Sequence, residues 1–320
     1  MKIVVTGSEG SLMQAIIPYL LDQGHTVTGI DNLYRYGRQS SRAGVDYEFV
    51  NQDLIDRQAV LALTKGADAV VHGAAKLYGV LGLLNYRADI LSDDTAITGN
   101  VLHACVQNQI GRMVFMSSSM VYDSCVQDIL VPLTETMTDS CPLPKTDYGL
   151  GKLVSERMCE AFRQQYGIEY TIWRPFNIVS PHEESMTEIG FSHVLPDFVN
   201  NIVIRKLNPL PIIGNGEQIR CFTWIDDVAS IIANHSFSAV SRNQVFNVCN
   251  VEPTSMKSAA RMIYELAIGN SDELQFISSK DYEHDVKVRV PSVNKLQTVL
   301  GPFEFVNTRK SIEQCLKHLL

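Results

Sequence analysis

The sequence has no excess of basic residues and no long hydrophobic run. Its 27 lysines and arginines are outnumbered by 35 acidic residues, which gives a formal net charge of −8. Nucleic acids and anionic membrane surfaces are bound through a positive field, so neither is an expected partner. A membrane-spanning helix needs about 18 or more apolar residues in a row, and the sequence contains no such stretch.

Signals for secretion and for metal or disulfide sites are also missing. The apolar run in residues 1–6 ends at Gly7, too early for the apolar core of a secretory signal. The seven cysteines are odd in number and contain no CxxC pair, so neither a disulfide framework nor a zinc site is expected. These features predict reduced thiols, no bound metal and a cytoplasmic location.

What the sequence does contain is a regular alternation of strand-like and helix-like segments. Short apolar runs such as residues 2–6 and 112–116 alternate with helical patterns as far as Pro175. Continuously apolar strands separated by helices are typical of a parallel sheet that is covered on both faces. We therefore predict an α/β fold, with a Rossmann-type doubly wound parallel sheet in residues 1–175.

After Pro175 the pattern becomes irregular, and a strand-like run returns only at residues 244–250. With 320 residues, the chain is long enough for two lobes. We predict that residues 176–222 and 253–320 form a smaller, mixed α/β substrate lobe. Residues from about 223 to 252 are predicted to return to the first domain.

A turn containing two glycines follows the first predicted strand and opens a helix. It holds Gly7, Gly10, Ser11 and Leu12. Glycine here lets the backbone approach a pyrophosphate, which the helix N-terminus binds. Met13 stands at the third glycine position of such turns, so the packing of helix on strand is expected to differ there. The alternative is an ordinary strand–helix turn without a ligand.

Further strand ends carry residues suited to the same cofactor. Asp31, followed by Asn32, ends the second strand, where a carboxylate can bind the adenosine ribose. It would repel a 2′-phosphate and so favours NAD over NADP, although Arg35 and Arg38 follow closely and weaken this preference. The remaining predicted cofactor residues end the third and fourth strands: Asp53, Leu54, Ala74, Ala75 and Lys76.

Tyr148 and Lys152 lie four residues apart and share one face of a predicted helix. An ammonium group stabilises a phenolate, so the pKa of Tyr148 is predicted to be lowered toward neutrality, which suits a general base. Three serines, residues 117–119, end the fifth strand and should face the same crevice. The alternative for the pair is two solvated surface residues.

With these motifs, the chain resembles the extended short-chain dehydrogenase/reductases of the nucleotide-sugar epimerase/dehydratase group along nearly its whole length. The resemblance is carried by TGSEGS, HGAA, SSSMVY, YGLGK, RPFN and RVPSVNK. It implies NAD as cofactor and a catalytic triad of Ser118, Tyr148 and Lys152. Tyr148 would take a proton from a sugar hydroxyl, Ser118 would bind the same oxygen, and Lys152 would hold the nicotinamide ribose.

The resemblance also implies which residues bind the substrate. Asn177 of RPFN, Arg220 and Arg289 correspond to residues that contact the nucleotide diphosphate in the group, and a planar guanidinium suits the capture of phosphate oxygens. His182, which follows in the chain, is interpreted as a polar loop residue. Family members commonly form homodimers through a four-helix bundle, which here would use residues 91–108 and 148–166.

Departures from the group narrow the predicted reaction. Dehydratases carry an Asp-Glu pair directly after the catalytic Ser or Thr, and decarboxylases usually keep the glutamate, whereas this chain has Ser119 and Met120. Residues 78–82 resemble a loop of GDP-mannose 3,5-epimerase and GDP-fucose synthase, but those enzymes need a cysteine where Met120 stands. Asp94 occupies a position usually held by asparagine.

The remaining chemistry is an NAD-dependent epimerisation of a nucleotide sugar at C4 through a transient 4-keto intermediate, in carbohydrate biosynthesis and with a UDP-sugar favoured. Two alternatives stay open. The first is a nucleotide-sugar dehydratase or reductase that uses acid/base groups from elsewhere in the chain. The second is a non-catalytic NAD-binding module.

Overall fold

The computed structural model describes residues 1–35, 37, 46–125, 131–183, 192–279 and 286–319. At its centre lies a sheet of seven parallel strands. These are β1 (Lys2–Thr6), β2 (Thr26–Asp31), β3 (Glu48–Asn51), β4 (Ala69–His72), β5 (Arg112–Met116), β6 (Glu169–Pro175) and β11 (Gln244–Val248). Their order is β3-β2-β1-β4-β5-β6-β11, so the order reverses between β1 and β4, where parallel sheets form a ligand crevice.

Helices cover both faces of this sheet. One face carries α1 (Ser11–Asp22), α7 (Ile225–His235) and α9 (Asn294–Leu300), and the other carries α2 (Arg57–Leu63), α4 (Arg87–Gln107) and α5 (Asp147–Tyr166). Consecutive strand residues enter opposite cores: Val5 packs with α1 and Val4 packs with α4. Strands that are buried on both faces are mainly apolar. The seven-stranded parallel sheet with helices on both faces confirms the predicted Rossmann-type fold.

The remaining elements lie beyond the carboxyl ends of the strands or form a second core. They are α3 (Val80–Asn85), β7 (Ile178–Val179), α6 (Val194–Val199), a π-helix (Asn200–Ile204), β8 (Leu210–Ile213), β9 (Ile219–Cys221), β10 (Thr223–Trp224), β12 (Pro253–Ser255), α8 (Met256–Ala267), β13 (Phe276–Ser279) and α10 (Thr308–Leu319). The strands pair two by two, β7 with β10, β8 with β13 and β9 with β12. Phe198, Phe222 and Ile263 lie in their shared core.

The structure bears on the predicted domain boundaries at two places. Within residues 223–252, β11 pairs with β6 in the main sheet and α7 packs on α1. Leu296 of α9, within residues 253–320, is fully buried in the core shared with α1 and β11. The apolar face of α9 is buried by packing against the sheet, although α9 is far from α1 and β11 in the sequence. The boundaries themselves stay predictions.

Across the described ranges, no helix has both the length and the apolar character needed to span a membrane. In the same part of the chain, no three His, Cys, Asp or Glu side chains are grouped closely enough to hold a metal ion. The seven cysteines are all free thiols, and five of them are buried.

Candidate active site

The turn between β1 and α1 has the backbone geometry that the sequence predicts. Gly7 has φ +68°, and a Cβ placed on it would lie 2.7 Å from the main chain of Ala74. Gly10 is the N-cap residue of α1 and has no side chain with which to cap it. The first N–H groups of the helix are therefore left to a ligand, as at anion sites of this kind.

Met13 packs differently from a glycine, as expected, and the structure shows how. Its side chain is 2% exposed and lies against Gly73, where an added Cβ would sit 2.7 Å from the Met13 sulfur. A glycine at the end of β4 thus makes the room that a glycine in α1 would otherwise provide. The large residue lies in α1 and the glycine lies at the end of β4, so α1 still approaches the sheet closely.

The carboxylates at the ends of β2 and β3 hold the loops that follow these strands. Asp31 accepts hydrogen bonds from the main-chain N–H of Glu9 (3.0 Å) and of Leu33 (2.7 Å), and Asn32 donates to Asp53 Oδ2 (3.1 Å). Burial raises the pKa of the Asp31 carboxyl above its ordinary value. Arg38 lies outside the described residues.

Arg35 contacts the loop that follows β4. Its guanidinium donates a hydrogen bond to the main-chain oxygen of Leu77 and lies 5.6 Å from the centre of the Tyr78 ring. This places it on the segment that leads into α3.

The start of α5 is pressed against the turn that follows β5. Thr146 caps the helix by accepting a hydrogen bond from Gly149 N (3.1 Å), and a Cβ on Gly149 would lie 2.3 Å from the Met120 main-chain oxygen. This close approach is possible only for glycine. It brings Tyr148 into hydrogen-bond contact with Ser118, whose Oγ also accepts from Met120 N (3.1 Å).

The pKa of Tyr148 differs from the sequence-based prediction. The pKa was predicted to fall, but burial raises it well above its ordinary value, and the nearby Asp94 carboxylate raises it further. The hydrogen bond with Ser118 acts in the opposite direction. Tyr148 therefore holds its proton at neutral pH in this structure, because the ring is 6% exposed and desolvation disfavours a phenolate.

Lys152 lies one helical turn from Tyr148 and faces the same cavity. Its Nζ is 5.6 Å from the centre of the Tyr148 ring and donates a hydrogen bond to Met116 O (3.1 Å). Burial lowers the pKa of the ammonium group, whereas Asp94 and Glu156 act to raise it. Tyr148, Lys152 and Asp94 thus form one buried, electrostatically connected group.

The three predicted substrate residues come from distant parts of the chain. Asn177 has φ +31°, and its Oδ1 is buried without a hydrogen-bond partner among the described residues. Arg220 and Arg289 are 7% and 5% exposed, and Arg289 donates to Ser119 Oγ (3.5 Å). Two buried guanidinium groups and an amide oxygen without a partner are suited to a polar, anionic ligand.

Glu183 and His193 form a pair that the sequence argument missed. His193 Nδ1 lies 2.5 Å from Glu183 Oε1. The imidazole is 42% exposed, but this exposed surface lines the cavity and the ring is enclosed by protein. Burial acts to lower the pKa of His193, but Glu183 outweighs it and raises the pKa. The only signal in the sequence was a His and a Glu ten residues apart in an irregular segment.

All of the predicted site residues line a single cavity of about 700 Å³, a size typical of small-molecule sites. Its wall includes the glycine turn and the strand ends, together with Ser118, Tyr148 and Lys152. Asn177, Arg220, Arg289, Glu183 and His193 line the part beneath the second lobe. There is no room for a side chain at Gly7, and no side chain caps the start of α1. A pyrophosphate can therefore approach the backbone there, so the residues present fit a dinucleotide.

The chain matches known proteins along most of its length. The model of the NAD dependent epimerase/dehydratase family matches residues 3–249. UDP-glucuronic acid decarboxylase 1 from Xenopus tropicalis is 27% identical over 304 residues, which cover 94% of this chain and 68% of that protein.

Solved structures share the fold. A UDP-glucose 4-epimerase with UDP-glucose from Thermotoga maritima has a TM-score of 0.87 at 22% identity, covering 100% of this chain and 98% of that chain. A dTDP-glucose 4,6-dehydratase from Streptomyces venezuelae, with NAD and TYD bound, has a TM-score of 0.85 at 21% identity, covering 99% and 96%. Since the family model spans most of the sequence, the chain belongs to the NAD-dependent epimerase/dehydratase family of nucleotide-sugar enzymes and uses NAD as its cofactor.

Proposed function

We propose that this protein epimerises a nucleotide sugar at C4, with a UDP-sugar as the favoured substrate. The observation that carries the proposal is the position of Tyr148 in the cavity, in contact with Ser118 and one turn from Lys152. Bound NAD supplies a reversible hydride acceptor. The residues of the chain have to bind the sugar nucleotide, direct one hydroxyl to Tyr148, and move its proton.

The roles of the individual residues follow from their places in the wall. Ser118 donates a hydrogen bond to the reacting oxygen, and Tyr148 exchanges the hydroxyl proton with it. Lys152 supplies positive charge that stabilises the tyrosine while its proton is away. Arg220 and Arg289 bind the diphosphate, and Asn177 orients the nucleotide between them and the triad.

The cofactor residues are proposed to act as follows. The glycine turn with Ser11 and Leu12 holds the pyrophosphate at the start of α1. Asp31 and Asn32 hold the adenosine ribose, and Asp53 and Leu54 border the adenine. The small residues Ala74 and Ala75 and the adjoining Lys76 let the backbone pass close to the cofactor.

The test is to incubate the purified protein with a panel of nucleotide sugars and to follow mass and C4 configuration. We expect a C4 epimer of unchanged mass without net consumption of NAD. Tyr148→Phe is expected to abolish turnover and to leave NAD bound. Tyr166→Phe, at the exposed end of the same helix, is the matched control and should retain activity.

Other products would point to other readings. Loss of water indicates a dehydratase, a gain of two hydrogens a reductase, and bound NAD without any sugar conversion a non-catalytic module. Full activity in Tyr148→Phe would contradict the role given to Tyr148.

A second candidate, a dehydratase, is favoured by the Glu183–His193 pair. Ser119 and Met120 stand where dehydratases carry the usual acid and base, so elimination would need other groups. His193 lines the same cavity, and Glu183 raises the pKa of its imidazole, which favours the protonated ring, a group able to donate a proton. His193→Gln separates the two candidates: a 4-epimerase should still form the C4 epimer, whereas a dehydratase should still reduce the bound cofactor but lose the elimination product.

We also propose that the protein forms a homodimer through α4 and α5. Val154 on α5 is 38% exposed, and Leu150 and Met158 on the same face are partly buried. An apolar stripe on a paired helix is suited to a second copy. Val154→Lys should shift the sedimentation coefficient to that of a monomer, and an unchanged dimer would contradict this interface.

The free cysteines support the proposed cytoplasmic location.

A further inference from the structure

Asp94 is a buried carboxylate in the cavity wall. It lies on α4, is 3% exposed, and lines the cavity together with Tyr148 and Lys152. Its Oδ1 accepts a hydrogen bond from Lys76 N (2.8 Å), whereas its Oδ2 is buried without a hydrogen-bond partner among the described residues. A buried carboxylate oxygen without a partner is unfavourable, and such an oxygen points to a functional role.

Charged and titratable groups face Asp94 from three sides. Lys152 and Tyr148 face it from α5, Lys76 faces it from the segment after β4, and Asp93 is its neighbour on α4. The Asp94 charge stabilises the ammonium form of Lys152 and disfavours the phenolate form of Tyr148. Lys76 is itself paired with Asp93, whose Oδ2 lies 2.5 Å from its Nζ. Asp94 therefore acts as a negative charge directed at the triad.

We propose that Asp94 is a positioning residue whose charge makes the site prefer the oxidised, positively charged nicotinamide over the neutral reduced form. The inference rests on the proposed function, because the triad marks where the reacting end of the cofactor lies. Tyr148 acts as a base only as the phenolate, so its own proton first passes to solvent. When the sugar alcohol is then oxidised, the C–H bond at C4 breaks, its hydride with two electrons passes to the nicotinamide, and the hydroxyl proton passes to the phenolate oxygen of Tyr148. Reduction reverses both transfers.

A preference for the oxidised cofactor shifts the equilibrium between the sugar alcohol and the 4-keto sugar. It favours the return of the hydride to the 4-keto sugar. Asp94 would thus keep the ketone from accumulating and leaving the cavity. An asparagine has the same shape and the same acceptor for Lys76 N, but lacks this charge.

The test compares the affinities of the purified protein for NAD⁺ and NADH, measured separately by calorimetry without sugar. We expect Asp94→Asn to reduce the preference for NAD⁺ by about tenfold, because a unit charge acting over a few ångströms of protein has an effect of at least this size. The matched control is Asp147→Asn, next to Tyr148 on α5, whose carboxylate pairs with Arg87. It should change the ratio less than about twofold.

A second arm uses the unaltered protein. Burial raises the pKa of Asp94 to about 6, against the opposing effects of Lys152 and of the hydrogen bond from Lys76. The preference for NAD⁺ should therefore weaken between about pH 7.5 and about pH 5, as Asp94 takes up a proton, and Asp94→Asn should lack this change.

The outcomes separate this inference from the proposed function. A ratio of affinities that is the same in both proteins and constant with pH would overturn the role of Asp94, whatever the sugar chemistry. A ratio that responds to Asp94→Asn supports it, even if no nucleotide sugar is epimerised and the proposed reaction fails. If the variant does not fold, a flat pH profile of the unaltered protein still overturns the inference.

Discussion

His72, at the end of β4, illustrates how burial sets the properties of a single side chain. Its Nδ1 shares a hydrogen bond with Thr6 Oγ1 (2.6 Å) and its Nε2 with Thr98 Oγ1 (3.2 Å). Burial lowers its pKa from 6.5 to about 3, and the charge of Lys152 acts in the same direction. Below pH 6.5 the unfolded chain thus binds a proton that the folded protein does not bind, so stability is lost as the pH falls.

We predict that this single proton accounts for about 2 kcal/mol of unfolding free energy between about pH 7 and about pH 5. Urea unfolding of the unaltered protein and of His72→Gln at both pH values measures it. The variant should lose about 2 kcal/mol less than the unaltered protein over this interval. Asp94 titrates in the same range with the opposite sign, but it does so in both proteins and cancels in the difference. Parallel pH profiles would contradict the prediction.

Gly149 is the residue that lets α5 meet the Ser118 turn. Because an added Cβ would lie 2.3 Å from Met120 O, Gly149→Ala should push Tyr148 away from Ser118. A displacement of about 1 Å in a catalytic site lowers kcat by about 100-fold. Gly111→Ala is the control, since no atom of the described residues lies within 4 Å of its added Cβ. Equal kcat values for the two variants would show that the close contact does not position Tyr148.

At the scale of elements, the contact between α1 and the end of β4 depends on the pairing of Met13 with Gly73. Met13→Ala should cost about 2–4 kcal/mol of unfolding free energy because it leaves a cavity. Gly73→Ala should cost about 1–3 kcal/mol because it crowds the Met13 side chain. In the double variant the alanine methyl groups occupy part of the vacated space, so the sum should fall short of additivity by about 1 kcal/mol or more.

Chemical unfolding of the four proteins completes this double-mutant cycle. Strict additivity would mean that the two residues do not compensate for one another. The same variants should lower NAD affinity, because α1 carries the pyrophosphate site at its N-terminus. A stability loss without any change in NAD affinity would show that the start of α1 keeps its place.

At the scale of the whole molecule, the substrate side of the cavity depends on residues from widely separated segments. Arg220 belongs to β9, and Arg289 lies 69 residues further along the chain, next to the bridge between Ile219 and Val288. UDP at about 100 times its Kd should stabilise the folded protein by about 2.7 kcal/mol. Arg220→Gln and Arg289→Gln should each reduce the rise in Tm caused by UDP and leave the rise caused by NAD unchanged.

The control for these arginines is Arg242→Gln. Arg242 is half-exposed, and its Nε lies 3.1 Å from Oε2 of Glu169, the residue at which β6 begins. The rise in Tm with UDP should be unaltered in this variant. Equal losses with UDP and with NAD in the Arg220 and Arg289 variants would indicate general damage to the cavity and would contradict a specific diphosphate contact.

The sequence by itself determined the fold class and the places of the motifs. In a parallel sheet every strand delivers its carboxyl end to the same edge, so Gly7, Asp31, Asp53, Ala74 and Ser118 had to come together once their strands were recognised. The helical spacing of four put Lys152 beside Tyr148 for an equally local reason.

Only the tertiary structure decided what depends on burial and on contacts between distant segments. The pKa of Tyr148 rises because several elements together exclude water from it and because Asp94 arrives from α4. The Glu183–His193 pair and the packing of Met13 on Gly73 join residues whose spacing follows no helical or strand period. Local periodicity does not predict such contacts, because they form only when the whole chain packs.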